Sequence, residues 1–176
     1  MRMCLAFAAA MLAASCATPA EETLHVPMSL TTPTGSGASI GEILIRREAG
    51  GVALQLRLHG LPPGQHGFHL HANASCDAAA GANGAMAPAG AAGGHFDPAG
   101  TTRHMGPMGN GHLGDLPVLD VDAHGNATQT LHVTRFHATD ELKGHALVLH
   151  AGGDNYSDTP TPLGGGGARL ACGVVS

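Results

Sequence analysis

Short runs of β-forming and apolar residues, each ended by turn-forming residues, recur from residue 23 to the end of this chain of 176 residues. The 27 glycines and 11 prolines disfavour long helices, and only residues 138–143 suggest a helical turn. The runs predict eight strands, at 23–31, 38–47, 52–59, 66–72, 116–122, 127–134, 145–151 and 168–175. This number and spacing of strands is typical of an all-β Greek-key sandwich or flattened barrel.

Turns and loops organise these strands into a single domain, as the chain length suggests. Residues 48–51 predict a hairpin between the second and third strands, and residues 123–126 predict another between the fifth and sixth. Two segments, 73–115 and 152–167, are long, glycine-rich and poor in apolar periodicity. Loops of this length in a compact domain are usually either disordered or functional. Because both contain histidine or aspartate residues, we expect two functional loops.

Charge and composition narrow the range of partners. The formal net charge is −5 at pH 7 and no basic run occurs, which argues against a nucleic acid partner. Aromatic residues make up only 3% of the chain and Trp is absent, so the core must be aliphatic. The 13 histidines outnumber the 8 lysines and arginines, which is the most unusual feature of the composition.

The N-terminal segment predicts export. Residues 1–20 combine a positive start, an apolar run too short to span a bilayer, and small residues, which is typical of a secretory signal peptide. Residues 12–16 are similar to the lipobox of bacterial lipoproteins, which predicts a lipid anchor to the membrane through Cys16. The leucine lies one place further from Cys16 than usual, and ordinary cleavage after Ala17 or Ala20 remains the alternative.

Cysteine usage agrees with export. Once the signal segment is removed, only Cys76 and Cys172 remain. An even pair in an oxidising compartment predicts one disulfide, whereas two unpaired buried thiols would be expected only in the cytosol. The bond would close a loop of nearly a hundred residues, for which chain entropy gives about 4–5 kcal/mol before any strain is subtracted.

Three histidines fall within a few residues of one another in the stretch GQHGFHLHA at 64–72. In an extended strand, His69 and His71 project to the same face because side chains alternate, so their imidazoles can converge on one ion. His66 should point the other way. Taken alone, a pair of alternating histidines is also typical of a solvent-exposed strand face. Residues elsewhere in the chain are needed to choose between a metal site and a solvated face.

Six motifs follow one another along the chain. They are GFHLH at 67–71, GGHFDP at 93–98, RHMGP at 103–107, GHLGDLP at 111–117, LHAGGDN at 149–155 and GGGGARLACG at 164–173. In this order, from about residue 40 to the C-terminus, they resemble the secreted bacterial copper/zinc superoxide dismutases. The resemblance divides the chain into a signal peptide at 1–20, a lead-in with the first strand at 21–37, and a copper/zinc superoxide dismutase domain at 38–176.

The resemblance implies a role for each matched residue. Copper would be held by His69, His71, His95 and His150, and zinc by His95, His104, His112 and Asp115. It also implies that Asp154 joins His69 to His104, that Arg169 is the active-site arginine, and that Cys76 and Cys172 form the family disulfide. Imidazoles in a tetragonal arrangement suit Cu(II), while three nitrogens and one carboxylate oxygen suit tetrahedral Zn(II).

The activity implied is the disproportionation of superoxide to oxygen and hydrogen peroxide, with the anion as substrate. In the family, copper is alternately reduced and reoxidised, the bridging histidine, here His95, takes up a proton, and zinc is structural. We therefore expect a periplasmic enzyme that protects the cell envelope, with the lipid anchor at Cys16 as one of the two alternatives for its mature N-terminus. Both a monomer and a homodimer remain open, since no interface can be identified from the residues.

Three alternatives remain. A family member without enzymatic activity would lack a ligand or the arginine, but every expected residue is present. A periplasmic histidine-rich metal buffer would show neither fixed stoichiometry nor fast turnover. An adhesion sandwich would not explain ordered histidines within two long loops. The histidines outside the implied site are expected to be structural or on the surface, with weak binding of extra metal as a lesser hypothesis: His25, His59, His66, His124, His132, His137 and His145.

Overall fold

The structure is a computed structural model that describes residues 22–81 and 84–176. The predicted signal peptide at 1–20, with its lipidation site Cys16, lies outside the described residues. In the described part of the chain, no helix is long and apolar enough to cross a membrane.

The described chain is built from strands and short 3-10 helices. The strands are β1 (Leu24–Thr32), β2 (Gly35–Glu48), β3 (Gly51–Leu58), β4 (Gly64–His66), β5 (Phe68–His71), β6 (Ala79–Ala80), β7 (Met86–Ala87), β8 (Leu119–Val121), β9 (Thr130–Val133), β10 (His145–His150) and β11 (Arg169–Val175). The 3-10 helices are Gly90–Ala92, Thr139–Leu142 and Pro162–Gly165. The second of these is the helical turn expected at 138–143.

One curled antiparallel sheet of seven strands forms most of the domain, in the order β5-β10-β11-β1-β2-β3-β9. Strands β1, β2 and β3 follow one another as neighbours. Strands β9 and β10 are consecutive in the chain but lie on opposite sides of that trio, so residues 134–144 cross over in the Greek-key manner. The all-β Greek-key prediction is confirmed. Strands β4 and β8 form a separate two-stranded sheet.

One predicted strand is in fact two. The run at 66–72 is interrupted at Gly67, so that β4 pairs with β8 whereas β5 pairs with β10. The Gly67 peptide instead bonds to the chain around the end of β10: its N–H donates to Gly152 at 2.8 Å, and its carbonyl accepts from His150 at 2.8 Å. The interruption places His66 and His69 in different sheets.

The hairpin predicted at 123–126 is wrong, although the turn itself exists. Gly125 N–H donates to the Asp122 carbonyl at 3.0 Å, and the Asp122 carboxylate accepts from the His124 and Asn126 amides. However, β8 pairs with β4 while β9 pairs with β3, so the flanking strands do not pair with each other. This turn carries the chain from one sheet to the other. The hairpin predicted at 48–51 is present, with Glu48 opposite Gly51.

The core is aliphatic, as the composition predicts. Strands β1, β2, β3, β9, β10 and β11 contribute buried Leu, Ile and Val, and Phe68 and Phe136 are both fully buried. Within β5, Phe68 and Leu70 belong to this core, so the intervening His69 and His71 face the opposite side. All four residues of β5 are nevertheless buried, because the loops cover the histidine face.

The predicted disulfide is confirmed between Cys76 and Cys172, with 5.7 Å between their Cα atoms. It ties the first long loop to β11. Around it, Ala89, Ala92 and Val148 form a second small apolar cluster. The same loop contains the short β6–β7 hairpin, which the sequence did not predict, because two-residue strands leave no detectable alternation.

Candidate metal centre

The first long loop is fastened to β5 by two backbone hydrogen bonds, and a third joins the two loop segments that contact the strand. Leu70 N–H donates to Gly114 at 2.9 Å, Gly114 N–H to Phe96 at 2.8 Å, and Phe96 N–H to Leu70 at 2.8 Å. A Cβ atom at Gly114 would lie 2.2 Å from the Leu70 carbonyl oxygen, so this approach requires glycine. The fastening brings the neighbouring His95 and Asp115 against the histidine face of β5.

A first donor cluster consists of four buried imidazoles whose ligand atoms all lie within 4.8 Å of one another: His69, His71, His95 and His150. Two come from β5. His150 ends β10, which pairs with β5, and His95 comes from the fastened loop. We call this set the four-imidazole cluster.

The ring tautomers in this cluster leave lone pairs pointing inward. His71 Nδ1–H donates to the Gly93 carbonyl at 2.9 Å, and His150 Nδ1–H donates to the Gly167 carbonyl at 3.1 Å. A neutral imidazole has one N–H, so the two Nε2 atoms, 3.3 Å apart, both present lone pairs. Burial lowers the pKa of His150 to about 4 and the pKa of His71 well below its ordinary value. Both rings are therefore neutral at pH 7, and a cation between them would satisfy both lone pairs.

A second cluster consists of His95, His104, His112 and Asp115, with ligand atoms again within 4.8 Å. Asp115 Oδ1 lies 3.0 Å from His95 Nδ1, 3.0 Å from His104 Nδ1 and 3.3 Å from His112 Nδ1. Four ligands at the usual zinc distances in a tetrahedron lie about 3.3 Å apart. We call this set the aspartate cluster, and its three nitrogens and one oxygen fit Zn(II).

Three buried ring nitrogens make no hydrogen bond among the described residues: His69 Nδ1, His95 Nε2 and His104 Nδ1. The 3.0 Å contact of His104 Nδ1 with Asp115 Oδ1 does not have the alignment that a hydrogen bond requires. A buried polar atom left unpaired costs about 1–3 kcal/mol. All three belong to the clusters, and metal ions would supply the missing partners. His95 belongs to both clusters, with Nδ1 beside Asp115 and the unpaired Nε2 available to the other. The residues present therefore fit one copper and one zinc ion that share His95.

Asp154 joins the two clusters from the second long loop. Its Oδ2 accepts from His69 Nε2–H at 2.9 Å and its Oδ1 from His104 Nε2–H at 2.7 Å, with all three side chains fully buried. These bonds leave Nδ1 of each histidine free for a metal. Burial opposes charge on His104, but the Asp115 and Asp154 carboxylates outweigh it and raise the pKa of His104 to about 9. In turn, His104 and His69 hold the pKa of the Asp154 carboxyl below its usual range, although burial of Asp154 acts in the opposite direction.

Arg169 lies at the edge of the four-imidazole cluster. Its guanidinium donates hydrogen bonds to the carbonyls of Ala89 and Gly93, and the second of these carbonyls also accepts from His71. Burial lowers the pKa of Arg169. Arg169 also lines a cavity of about 420 Å³ whose other walls are alanine, glycine and proline. A cation is thus held beside the imidazoles, next to open space.

The structure gathers every residue that the sequence singled out for a site, and it adds acceptors that the sequence did not indicate. The Gly93 and Gly167 carbonyls orient His71 and His150, and the Asp158 carboxylate accepts from the His104 amide at 2.9 Å. Backbone acceptors leave no signature in side-chain patterns. Asp158 is one of several loop aspartates and could not have been distinguished from the others.

The other seven histidines lie outside both clusters. Both ring nitrogens of buried His66 lie 2.8 Å from backbone carbonyls, those of Pro62 and His150. His145 contacts the Ala72 carbonyl, and the remaining five are exposed, two of them beside a glutamate: His25, His59, His124, His132 and His137. Within residues 22–81 and 84–176, no further group of three metal-binding side chains occurs beyond the two clusters and the Asp154 contact group.

A Greek-key β-barrel with two adjacent donor sets that share one imidazole defines a protein with a dinuclear metal centre. Residues 39–175 match the family model described as copper/zinc superoxide dismutase (SODC). The chain is 50% identical over 161 residues to Cu-Zn superoxide dismutase 2 of Salmonella typhimurium strain LT2, covering 92% of each protein.

Two solved structures have the same fold. The Cu/Zn superoxide dismutase from Brucella abortus matches with a TM-score of 0.86 and 46% identity, over 88% of this chain and 100% of that one. The solution structure of the monomeric copper, zinc superoxide dismutase from Salmonella enterica matches with a TM-score of 0.79 and 51% identity, with the same coverage. The chain belongs to the copper/zinc superoxide dismutase family. It is an oxidoreductase whose cofactors are copper and zinc.

Proposed function

We propose that the four-imidazole cluster holds copper, that the aspartate cluster holds zinc in a structural role, and that the enzyme disproportionates superoxide to oxygen and hydrogen peroxide. The observation that carries this proposal is the position of His95, which belongs to both clusters and has an unpaired Nε2. When bound, copper supplies one-electron redox chemistry, which zinc cannot supply. Every other contribution comes from the side chains of the chain itself.

Asp154 prepares both clusters for their metals. By accepting from the Nε2–H groups of His69 and His104, it orients both rings so that Nδ1 of each faces the metal position. Carboxylates that hold metal-binding histidines in this way fix ring orientation and raise ligand basicity. One buried side chain therefore aligns a ligand of each cluster.

Arg169 holds the anionic substrate. The guanidinium keeps its positive charge at neutral pH because its ordinary pKa is so high, even though burial lowers that pKa. Two of its donors are used by the Ala89 and Gly93 carbonyls, which fix its position, and a guanidinium has five N–H groups in all. The remaining donors are available to a small anion beside the imidazoles.

His95 moves a proton at Nε2. Burial lowers its pKa, and His104 and His112 lower it further, while Asp115 opposes the change. The Nε2 atom has no hydrogen-bond partner among the described residues, so it is free to accept a proton and to release it again. A group with this property suits the protonation that peroxide formation requires.

We further propose that the protein is exported to the periplasm, where it protects the cell envelope. Support comes from residues 1–20, with their signal-peptide pattern, and from the lipobox-like Cys16. Mass spectrometry of the mature N-terminus tests this: a lipidated Cys16 is expected. An unmodified start at Thr18 or Glu21 would contradict the lipid anchor but would still support export.

The deciding experiment is a superoxide disproportionation assay on the metal-reconstituted protein beside His150→Ala and Arg169→Ala. Removing His150 should abolish activity and release copper. Removing Arg169 should leave both metals bound and slow turnover. Arg46→Ala is the matched control, since Arg46 is exposed and, among the described residues, its side chain hydrogen-bonds only to Gln55. Full speed in Arg169→Ala would show that its assigned role is wrong.

A further inference from the structure

We propose that Arg135 is a positioning residue that holds the loop carrying His112 in place and so retains the zinc ion of the aspartate cluster. We call its contact with this loop the latch. This inference rests on the proposed function only in assigning zinc to that cluster. Arg135 is not a metal ligand and lies outside both clusters.

The latch consists of two hydrogen bonds to successive carbonyls. Arg135 Nη1 donates to the His112 carbonyl at 2.8 Å, and Nη2 donates to the Gly111 carbonyl at 3.0 Å. Arg135 lies two residues after the end of β9, and the next residue, Phe136, is fully buried in the core. The guanidinium therefore connects the rigid sheet to the loop that carries His112.

His112 is the ligand that most needs such support. Its side chain is 9% exposed, compared with 2% for His95 and 0% for both His104 and Asp115. All four members are buried, but the side chain of His112 is the least deeply buried of them, and we expect metal loss to begin by its departure. Groups that orient a ligand affect how firmly its metal is held, so the backbone contacts of His112 contribute to retention of the ion.

On its carbonyl side, the backbone of His112 is held mainly by Arg135. On the amide side, His112 N–H donates to the Arg103 carbonyl at 2.9 Å. On the carbonyl side, the described residues offer only Arg135 and a long contact of 3.4 Å from the Asp115 amide. Without the guanidinium, the carbonyl side of His112 would keep just that long contact.

The loop presents two successive carbonyl groups that one planar guanidinium can contact together. A Cβ atom at Gly111 would lie 2.3 Å from the Arg103 carbonyl oxygen, so the chain here is packed closely against the preceding segment. That packing presents the Gly111 and His112 carbonyls together. An arginine can bond both at once with little loss of freedom, whereas a lysine is a single point donor.

The test measures zinc release, not catalysis. Protein loaded with zinc is mixed with excess of a colorimetric chelator, and the rate of zinc transfer is compared for wild type, Arg135→Met, Arg135→Lys and the control Arg46→Met. Arg46 extends from the sheet, and within residues 22–81 and 84–176 its side chain hydrogen-bonds only to Gln55. Loss of a residue that supports a ligand typically costs about 10–100-fold in metal affinity. We expect faster release by about that factor in Arg135→Met, an intermediate rate in Arg135→Lys, and no change in Arg46→Met.

A spectroscopic measurement separates positioning from general stability. Cobalt(II) bound in place of zinc should show an altered visible spectrum in Arg135→Met, while the electron paramagnetic resonance of copper in the other cluster stays unchanged. A purely structural role would instead lower the stability of metal-free and zinc-loaded protein equally. If Arg135→Met does not fold, the release rate of Arg135→Lys decides. Wild-type release rates in these variants would overturn the latch.

The latch and the proposed function can fail separately. If wild-type protein binds one zinc in the aspartate cluster but has no dismutase activity, the proposed function fails and the latch stands. If activity is present but zinc leaves Arg135→Met at the wild-type rate, the latch fails and the proposed function stands.

Discussion

His104 and Asp154 are joined by a 2.7 Å hydrogen bond between two completely buried side chains. The other oxygen of Asp154 accepts from His69, so a change at this carboxylate reaches both clusters. The Asp154→Asn variant keeps the shape but has one acceptor oxygen, and it presents an NH₂ group to the second imidazole N–H. We expect copper or zinc affinity to fall about 10–100-fold, measured by competition with a chelator. Exposed Asp120→Asn is the control, and unchanged affinity in Asp154→Asn would contradict the proposed role.

Gly164 leaves room for the same carboxylate. A Cβ atom there would lie 1.9 Å from Asp154 Oδ1 and 2.9 Å from His104 Nε2. Gly164→Ala should therefore displace Asp154 and release metal. Gly60→Ala is a closely matched control. Gly60 has φ +70°, against φ +69° at Gly164, but apart from its two chain neighbours no described residue has an atom within 4 Å of the added Cβ.

Both glycine variants should lose about 1–2 kcal/mol of stability from the left-handed backbone alone. Only Gly164→Ala should also lose metal, measured as copper and zinc per chain after dialysis. Equal metal content in the two variants would show that contact with Asp154 is unimportant.

The disulfide between Cys76 and Cys172 should support both stability and the position of Arg169. It links residues 96 positions apart, for which chain entropy gives about 4–5 kcal/mol. It also secures the loop whose Ala89 and Gly93 carbonyls hold the guanidinium. The double Cys→Ser variant should unfold at lower urea concentration, and its turnover should fall while metal remains bound. Turnover equal to wild type per bound copper would separate the disulfide from the arginine.

Acid should destabilise the metal-free protein between pH 6.5 and 4. Burial lowers the pKa of His69 to about 3 and that of His150 to about 4, against about 6.5 in the unfolded chain. In that window the unfolded chain binds more protons, so the free energy of unfolding falls as pH falls, by on the order of 2 kcal/mol for each histidine between pH 7 and 5. His104, with its pKa raised to about 9, acts in a separate window: its contribution is lost between pH 6.5 and 9.

Urea unfolding of metal-free protein from pH 7 to 5 measures this slope. His69→Gln should reduce the slope, whereas His124→Gln, at an exposed turn position, should leave it unchanged. Identical slopes in wild type and His69→Gln would show that burial of His69 is not the cause.

Much of the site could be predicted because its residues stand in short motifs whose order is informative. His69 and His71 alternate in a strand, and the structure places both in one cluster. The disulfide followed from counting cysteines. Local pattern did not predict the interruption at Gly67, because it depends on the hydrogen bond to distant Gly152. It also failed at the 123–126 turn, because the strands on either side of this turn pair in different sheets.

The sequence by itself determined most of the strand content and the presence of a disulfide, since these depend on residue types and on local periodicity. Its ordered motifs also implied the donor residues, through their resemblance to a known family. Only the tertiary structure decided which nitrogen of each histidine faces inward and how the loops are held. Those features depend on backbone carbonyls such as Gly93 and Gly167, and on the long-range reach of Arg135 to His112. A main-chain acceptor is the same at every residue, so its partner can be identified only once the chain has folded around it.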